Sequence, residues 1–341
     1  MNNRKLNFLD ISKVITCFLV VTGHVFCRYR QEDWLGWGGH NITLTYLASY
    51  IYSFHMPLFF MISGYVYGKQ MYKKTDSCVL NNVTFIKKKI IRLIVPYIFF
   101  SILLTFVLYY VGHFQGSIFK NYYHTFFVSN DTYLWFLPCL FLISILYNSL
   151  GTYIQIGLYL FLLIFAGLCV SSVYLPNEFQ IGNIARYSFF YLMGVMAQQN
   201  EKQLLKLFTA KNAGVLLLMH FIFFYLKMKT WGYVLINDIL SIICALFGSL
   251  LVLIISFLIS NDSILRSKIV GCFIRDGYSV YLIHPMLIYI LYYDIFKVSG
   301  NYYVQVLIAI LLSFGISMLF AFILRMVSCA WILGEKNVKH V

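Results

Sequence analysis

Apolar runs of roughly 20 residues recur about ten times along this chain, and that length is what an α-helix needs to cross ~30 Å of hydrocarbon. They fall near 8–27, 44–66, 90–112, 133–149, 153–173, 184–199, 213–228, 234–259, 277–295 and 302–327. Lipid offers no water to unpaired backbone amides, so segments of this kind are confined to helix. Only 11% of the 341 residues are charged and 61% are hydrophobic, too little charge to clothe a soluble surface. The expected fold is therefore all-α, a polytopic integral membrane protein of about ten transmembrane helices. No internal repeat or low-complexity tract interrupts it, and few residues follow the last run, so a single domain over 1–341 is expected.

Orientation follows from lysine and arginine. With the N-terminus inside, the inner segments collect Arg4, Lys5 and Lys13, the dense group from Lys69 to Arg92, then Lys202, Lys206 and Lys211, then Arg266, Lys268 and Arg275, and finally Arg325, Lys336 and Lys339. The outer segments keep Arg28, Arg30, Lys120, Arg186, Lys227, Lys229 and Lys297. The positive-inside rule then places both termini in the cytoplasm. It also absorbs most of the net charge of +14 without a nucleic-acid partner. The eight cysteines are scattered singly, most of them inside apolar runs, without metal-type spacing, and read as small core residues.

Ionisable groups in hydrocarbon are expensive and are functional hypotheses by default. "DISKVITCFLVVTGHVF", residues 10–26, holds two of them. At about 100° per residue the step from Lys13 to His24 makes three turns plus roughly 20°, so both leave one face, about 16 Å apart along the axis. Lys13 alone suits snorkelling to headgroups, and His24 alone suits a structural hydrogen bond; neither account explains their alignment. His55, before Pro57 in the second run, fits helix packing and function equally well. The adjacent Ser63–Gly64 pair reads as a close-packing site. Lys89 and Arg92 share a face at the start of the third run, where a basic cluster also serves topology. His220 and His284 read as lone structural histidines. Arg186 and Asp238 fall at outer helix mouths. Trp34, Trp37 and Trp135 form either an aromatic belt or a set of stacking faces for sugar rings. Prolines 57, 96, 138 and 285 lie within predicted helices, so the backbone beside them should face protein or a watery cavity.

A base near the outer surface, reached from an inner mouth ringed with cations, suits a long anionic cytosolic donor whose reactive end travels outward. Coenzyme A thioesters have that form: phosphates at one end and an acyl group on a thin arm of the order of the ~16 Å between Lys13 and His24. Lysine and arginine hold phosphate by charge-assisted hydrogen bonds, and histidine can deprotonate an acceptor hydroxyl.

Taken in order, "LDISKVITCFLVVTGH", "FHMPLFFMISGY" (54–65), "KKKIIRLIVPY" (87–97), "LWFLPCLFL" (134–142) and "YSVYLIHP" (278–285) resemble the acyltransferase 3 family of integral membrane acyltransferases. The family's Arg/Lys and His separated by ten residues correspond to Lys13 and His24, and its Arg-x-x-Arg to Lys89 and Arg92. The resemblance implies that His24 is the catalytic base and that Lys13, Lys89 and Arg92 bind the donor. It implies acyl transfer, usually of acetyl from acetyl coenzyme A, to a hydroxyl of a bacterial surface polysaccharide or its lipid-linked precursor, in the cytoplasmic membrane and without metal. His55, Trp34, Trp37, Trp135 and Arg186 are then the candidates for the saccharide side. Lysine at 13 and 89, where arginine is commoner, keeps the charge and gives up bidentate binding. The competing class is a saccharide transporter or flippase, and a third reading is a membrane-embedded sensor. Against transport stand the absence of an inverted-repeat echo and a single plausible coupling carboxylate, Asp238.

Overall fold

Helix satisfies every backbone amide within its own segment, and helix is the regular structure throughout the described residues of the computed structural model, 4–30, 39–72, 82–113, 116–123, 133–176, 178–260, 264, 267–296 and 301–335. Helix α1 spans Arg4–Cys27, α2 Ile42–Tyr52 and α3 His55–Tyr72. Helix α4 (Asn82–Lys89) runs through a π turn, Ile90–Ile94, into α5 (Val95–Tyr110). A short α6 (Ile118–Tyr123) precedes α7 (Phe136–Ile156), α8 (Leu158–Ser171) and α9 (Ile181–Gln199). Then come α10 (Glu201–Lys206), α11 (Ala210–Lys229), α12 (Val234–Ile259), α13 (Lys268–Ile290) and α14 (Tyr302–Met326).

All ten apolar runs fall on helix, but only six of the described helices are long and apolar enough to cross a membrane by themselves: Phe8–Cys27, Val83–Tyr110, Tyr133–Gly151, Ala210–Lys229, Val234–Ile259 and Tyr302–Met326. The second run departs from the single helix expected of it. It breaks at Ser53–Phe54 into α2 and α3 because Pro57 cannot donate to the carbonyl of Ser53 and restarts the helix in its own first turn. Phe54 projects at the break and fills the notch left by Gly248 of α12, where a Cβ would sit 2.5 Å from its ring.

Pro96 acts similarly at the π turn. It has no N–H for the carbonyl of Arg92, and the hydroxyl of Tyr278 on α13 donates there at 2.6 Å. Helices α3 and α9 make the tightest crossing: a Cβ on Gly64 would run into the backbone of Tyr191, and one on Gly194 into that of Met61. Ser63–Gly64 is thus part of a small-residue crossing in which two backbones touch.

Of the six candidate spans α1 is the most enclosed, 67% of its apolar window being buried, against 6% for the peripheral α11. Helices α2, α3, α12, α13 and α14 surround it. That enclosure buries the His24 end of the stripe, while Lys13 stays exposed.

Candidate active site

Lys13 of α1 is far in sequence from Lys89 and Arg92, which sit three residues apart at the end of α4 and in the π turn, yet all three line one cavity of about 350 Å³ between α1, α3, α7, α13 and the π turn. Arg275 of α13 joins them on its wall. Lys13 donates to Asp10 at 2.9 Å and stays half-exposed. Arg275 grips the buried carboxylate of Asp276 through two bonds of 2.9 and 2.8 Å, and Asp276 also accepts from Arg325 at 2.6 Å. Among the described residues Lys89 and Arg92 rest on rings rather than carboxylates: Lys89 lies 5.4 Å from the centre of Phe85 and Arg92 4.1 Å from that of Tyr278.

The backbone holds Arg92 in place. Its Nη1 donates to the carbonyls of Leu333 and Gly334, both at 3.4 Å. Gly334 has φ +66°, and a Cβ there would meet the Arg92 carbonyl oxygen at 2.8 Å, so the segment can pass under Arg92 only as glycine. A π turn widens the helix at this point, which moves Arg92 off the regular i, i+3 face that it shares with Lys89 in an ideal helix.

At the other end of the α1 stripe lies a buried polar cluster. His24 is 6% exposed, and its Nδ1 is hydrogen-bonded to the hydroxyl of Tyr52, the last residue of α2. Its ring packs 3.8 Å from that of Tyr133 and stacks 5.3 Å from His284. Arg28, one turn on, donates to the Tyr133 hydroxyl at 2.8 Å. His55 donates from Nδ1 to the Ile51 carbonyl at 3.0 Å, and its ring meets the edge of Tyr52 at 4.7 Å. If the Tyr52 oxygen accepts from Nδ1–H, Nε2 of His24 carries the lone pair that a base requires.

His284 is the residue the sequence concealed. Its Nδ1 donates to the Val280 carbonyl at 2.8 Å, which leaves Nε2 as an acceptor, buried without a partner among the described residues. Nothing in "YSVYLIHP" predicts that this ring faces His24, since a single helix cannot reveal its neighbour. His220, by contrast, donates to the Cys244 carbonyl at 3.0 Å and touches Ser53 at 3.4 Å, a structural histidine between α11 and α12.

The remaining candidates are placed otherwise. Trp135 packs against Tyr187 at 5.2 Å and Phe60 at 6.4 Å, inside the bundle. Arg186 is ion-paired with Asp238 and donates from Nε to Ser172 at 3.2 Å. These contacts occupy both groups, so neither Trp135 nor Arg186 is among the contacts of the His24 cluster. Trp34 and Trp37 lie outside the described residues. Among the described residues no group of three His, Cys, Asp or Glu could hold a metal ion.

The profile of a family described as an acyltransferase domain matches residues 6–326. Nodulation protein NolL of Mesorhizobium japonicum is 27% identical over 203 residues, covering 58% of this chain and 49% of that protein. Nodulation protein NolL of Sinorhizobium fredii is 29% identical over 214 residues, covering 59% and 51%. The chain spans about half the length of the curated relatives it matches. No solved structure matches it.

Proposed function

The chain belongs to the acyltransferase 3 family, and from that premise we propose that it moves an acetyl group from acetyl coenzyme A to a hydroxyl of a bacterial surface polysaccharide or its lipid-linked precursor. One observation carries this reading: Lys13, Lys89 and Arg92 converge on a single cavity that follows α1 from Asp10 to Cys17. The three cations, with Arg275, bind the donor's phosphates, and the acyl arm lies along the cavity. The acceptor oxygen attacks the thioester carbon as Nε2 of His24 takes the hydroxyl proton. The carbon–sulfur bond then breaks, and the proton passes to the departing thiolate. Tyr52 fixes the ring of His24, and the charge of Arg28 beside Tyr133 stabilises the oxyanion.

In this account the protein lies in the cytoplasmic membrane with about ten crossings and both termini inside. The donor enters from the cytoplasm and the saccharide meets the acyl group near the outer surface. His55 stands on that side beside Tyr52, while the contacts of Trp135 and Arg186 give them a supporting part. The support for a saccharide acceptor is membership of the family. Transfer of radiolabel from acetyl coenzyme A to glycan, in membranes whose only added component is this chain, tests the proposal. Unlabelled glycan that nevertheless crosses the membrane would favour the transporter alternative.

A further inference from the structure

The cavity stops short of His24. Its inner end is closed by Phe59 of α3, Phe136 at the start of α7 and Tyr281 of α13. Their rings meet pairwise, Phe59–Phe136 at 5.5 Å, Phe136–Tyr281 at 5.7 Å and Phe59–Tyr281 at 6.4 Å, so three helices each contribute one ring to a closed triangle. Such separations are those of attractive edge and tilted ring pairs, which resist parting.

Tyr281 is pinned. Its hydroxyl donates to the Tyr133 carbonyl at 2.7 Å, and its ring lies 6.2 Å from His284, which stacks on His24. Phe59 and Phe136 are held by packing alone, since a phenyl ring has no polar handle. One hydrogen-bonded ring and two held only by ring contacts therefore stand at the end of the cavity that adjoins His284.

We infer that Phe59, Phe136 and Tyr281 select the acyl group by size, admitting a short acyl tip to His24 and refusing a long one. The inference rests on the donor reading above. A thioester must pass this layer to reach Nε2, and a two-carbon tip needs only small rotamer shifts of Phe59 and Phe136. Each further methylene must be housed against three rings already in contact, and close-packed interiors meet added volume with strain. The same layer keeps water on the cavity side from the reacting centre until the acyl arm arrives.

The experiment is donor binding rather than transfer, so the identity of the acceptor does not matter. Coenzyme A, acetyl coenzyme A and octanoyl coenzyme A are titrated against the purified full-length protein in lipid nanodiscs, as wild type, Phe136→Ala and Phe136→Leu. Wild type is expected to bind coenzyme A and acetyl coenzyme A similarly and octanoyl coenzyme A about 10-fold or more weakly, as methylene discrimination in apolar pockets allows. Phe136→Ala should recover that factor for octanoyl coenzyme A with coenzyme A unchanged, and Phe136→Leu, which retains most of the volume, should recover part of it. The same chain-length profile in wild type and both variants overturns size selection alone. Failure of wild type to bind coenzyme A overturns the donor reading and this inference with it.

Discussion

At one end of the α1 stripe Lys13 keeps 48% of its side chain exposed and shares its charge with Asp10; at the other His24 is 6% exposed, with Tyr52, Tyr133 and His284 around its ring. The two residues belong to the same helix and differ in how the fold holds them. The cationic wall is built from four long side chains, any of which can be partly replaced by its neighbours or by water. The histidine cluster is built from rings whose positions are fixed by packing and by bonds to backbone carbonyls. A site that binds by summed charge tolerates single losses, whereas one that reacts through a single atom does not.

The contrast is broken most directly at His24. His24→Ala should lower the transfer rate by about 10²–10⁴ while coenzyme A binding stays at the wild-type level; measured together, equal losses in both would show that the two regions are not separate. Arg92→Ala should show the opposite split. Donor binding weakens roughly 10- to 150-fold, as loss of a charge-assisted contact predicts, while the rate at saturating donor changes little. Arg92→Lys should recover part of it, and undiminished binding in Arg92→Ala would leave the basic cluster with a topological role only.

Tyr52→Phe sharpens the comparison from within the buried region. It deletes one hydroxyl with little change of shape, and the rate should fall about 10-fold, the worth of one hydrogen bond near 1.4 kcal/mol, with donor affinity intact. The smallest effect belongs to Lys13. Exposed and already paired with Asp10, it should lose only a few-fold in donor affinity on change to alanine, less at high salt. A loss as large as that of Arg92→Ala would show that exposure misjudges its part.

What the sequence reveals of this molecule follows the same division. The helices are legible because lipid admits few alternatives, and the stripe holding Lys13 and His24 is legible because both lie on one helix, where spacing fixes direction. The break between α2 and α3 is written in Pro57, but an apolar run of that length reads as one helix until its backbone donors are counted. His284 looks solitary because its partner lies on α1, and Arg275 looks like a topology signal because the cavity beside it exists only once α13 packs on α1 and α3. Trp135 has the composition of an interfacial anchor, yet the turn Tyr133–Trp135 directs it onto Tyr187 and Phe60. Arg186 and Asp238, read separately as solvated helix mouths, prove to be each other's partner.

The central claim is that the donor binds at the Lys13 end, on the cytoplasmic side, and the acyl group emerges at the His24 end. Sealed right-side-out vesicles carrying this protein, loaded internally with labelled acetyl coenzyme A and supplied with acceptor glycan only outside, measure it directly. The account predicts label on the external glycan, lost in His24→Ala vesicles. Label confined to glycan trapped inside, with none on the external acceptor, would contradict it.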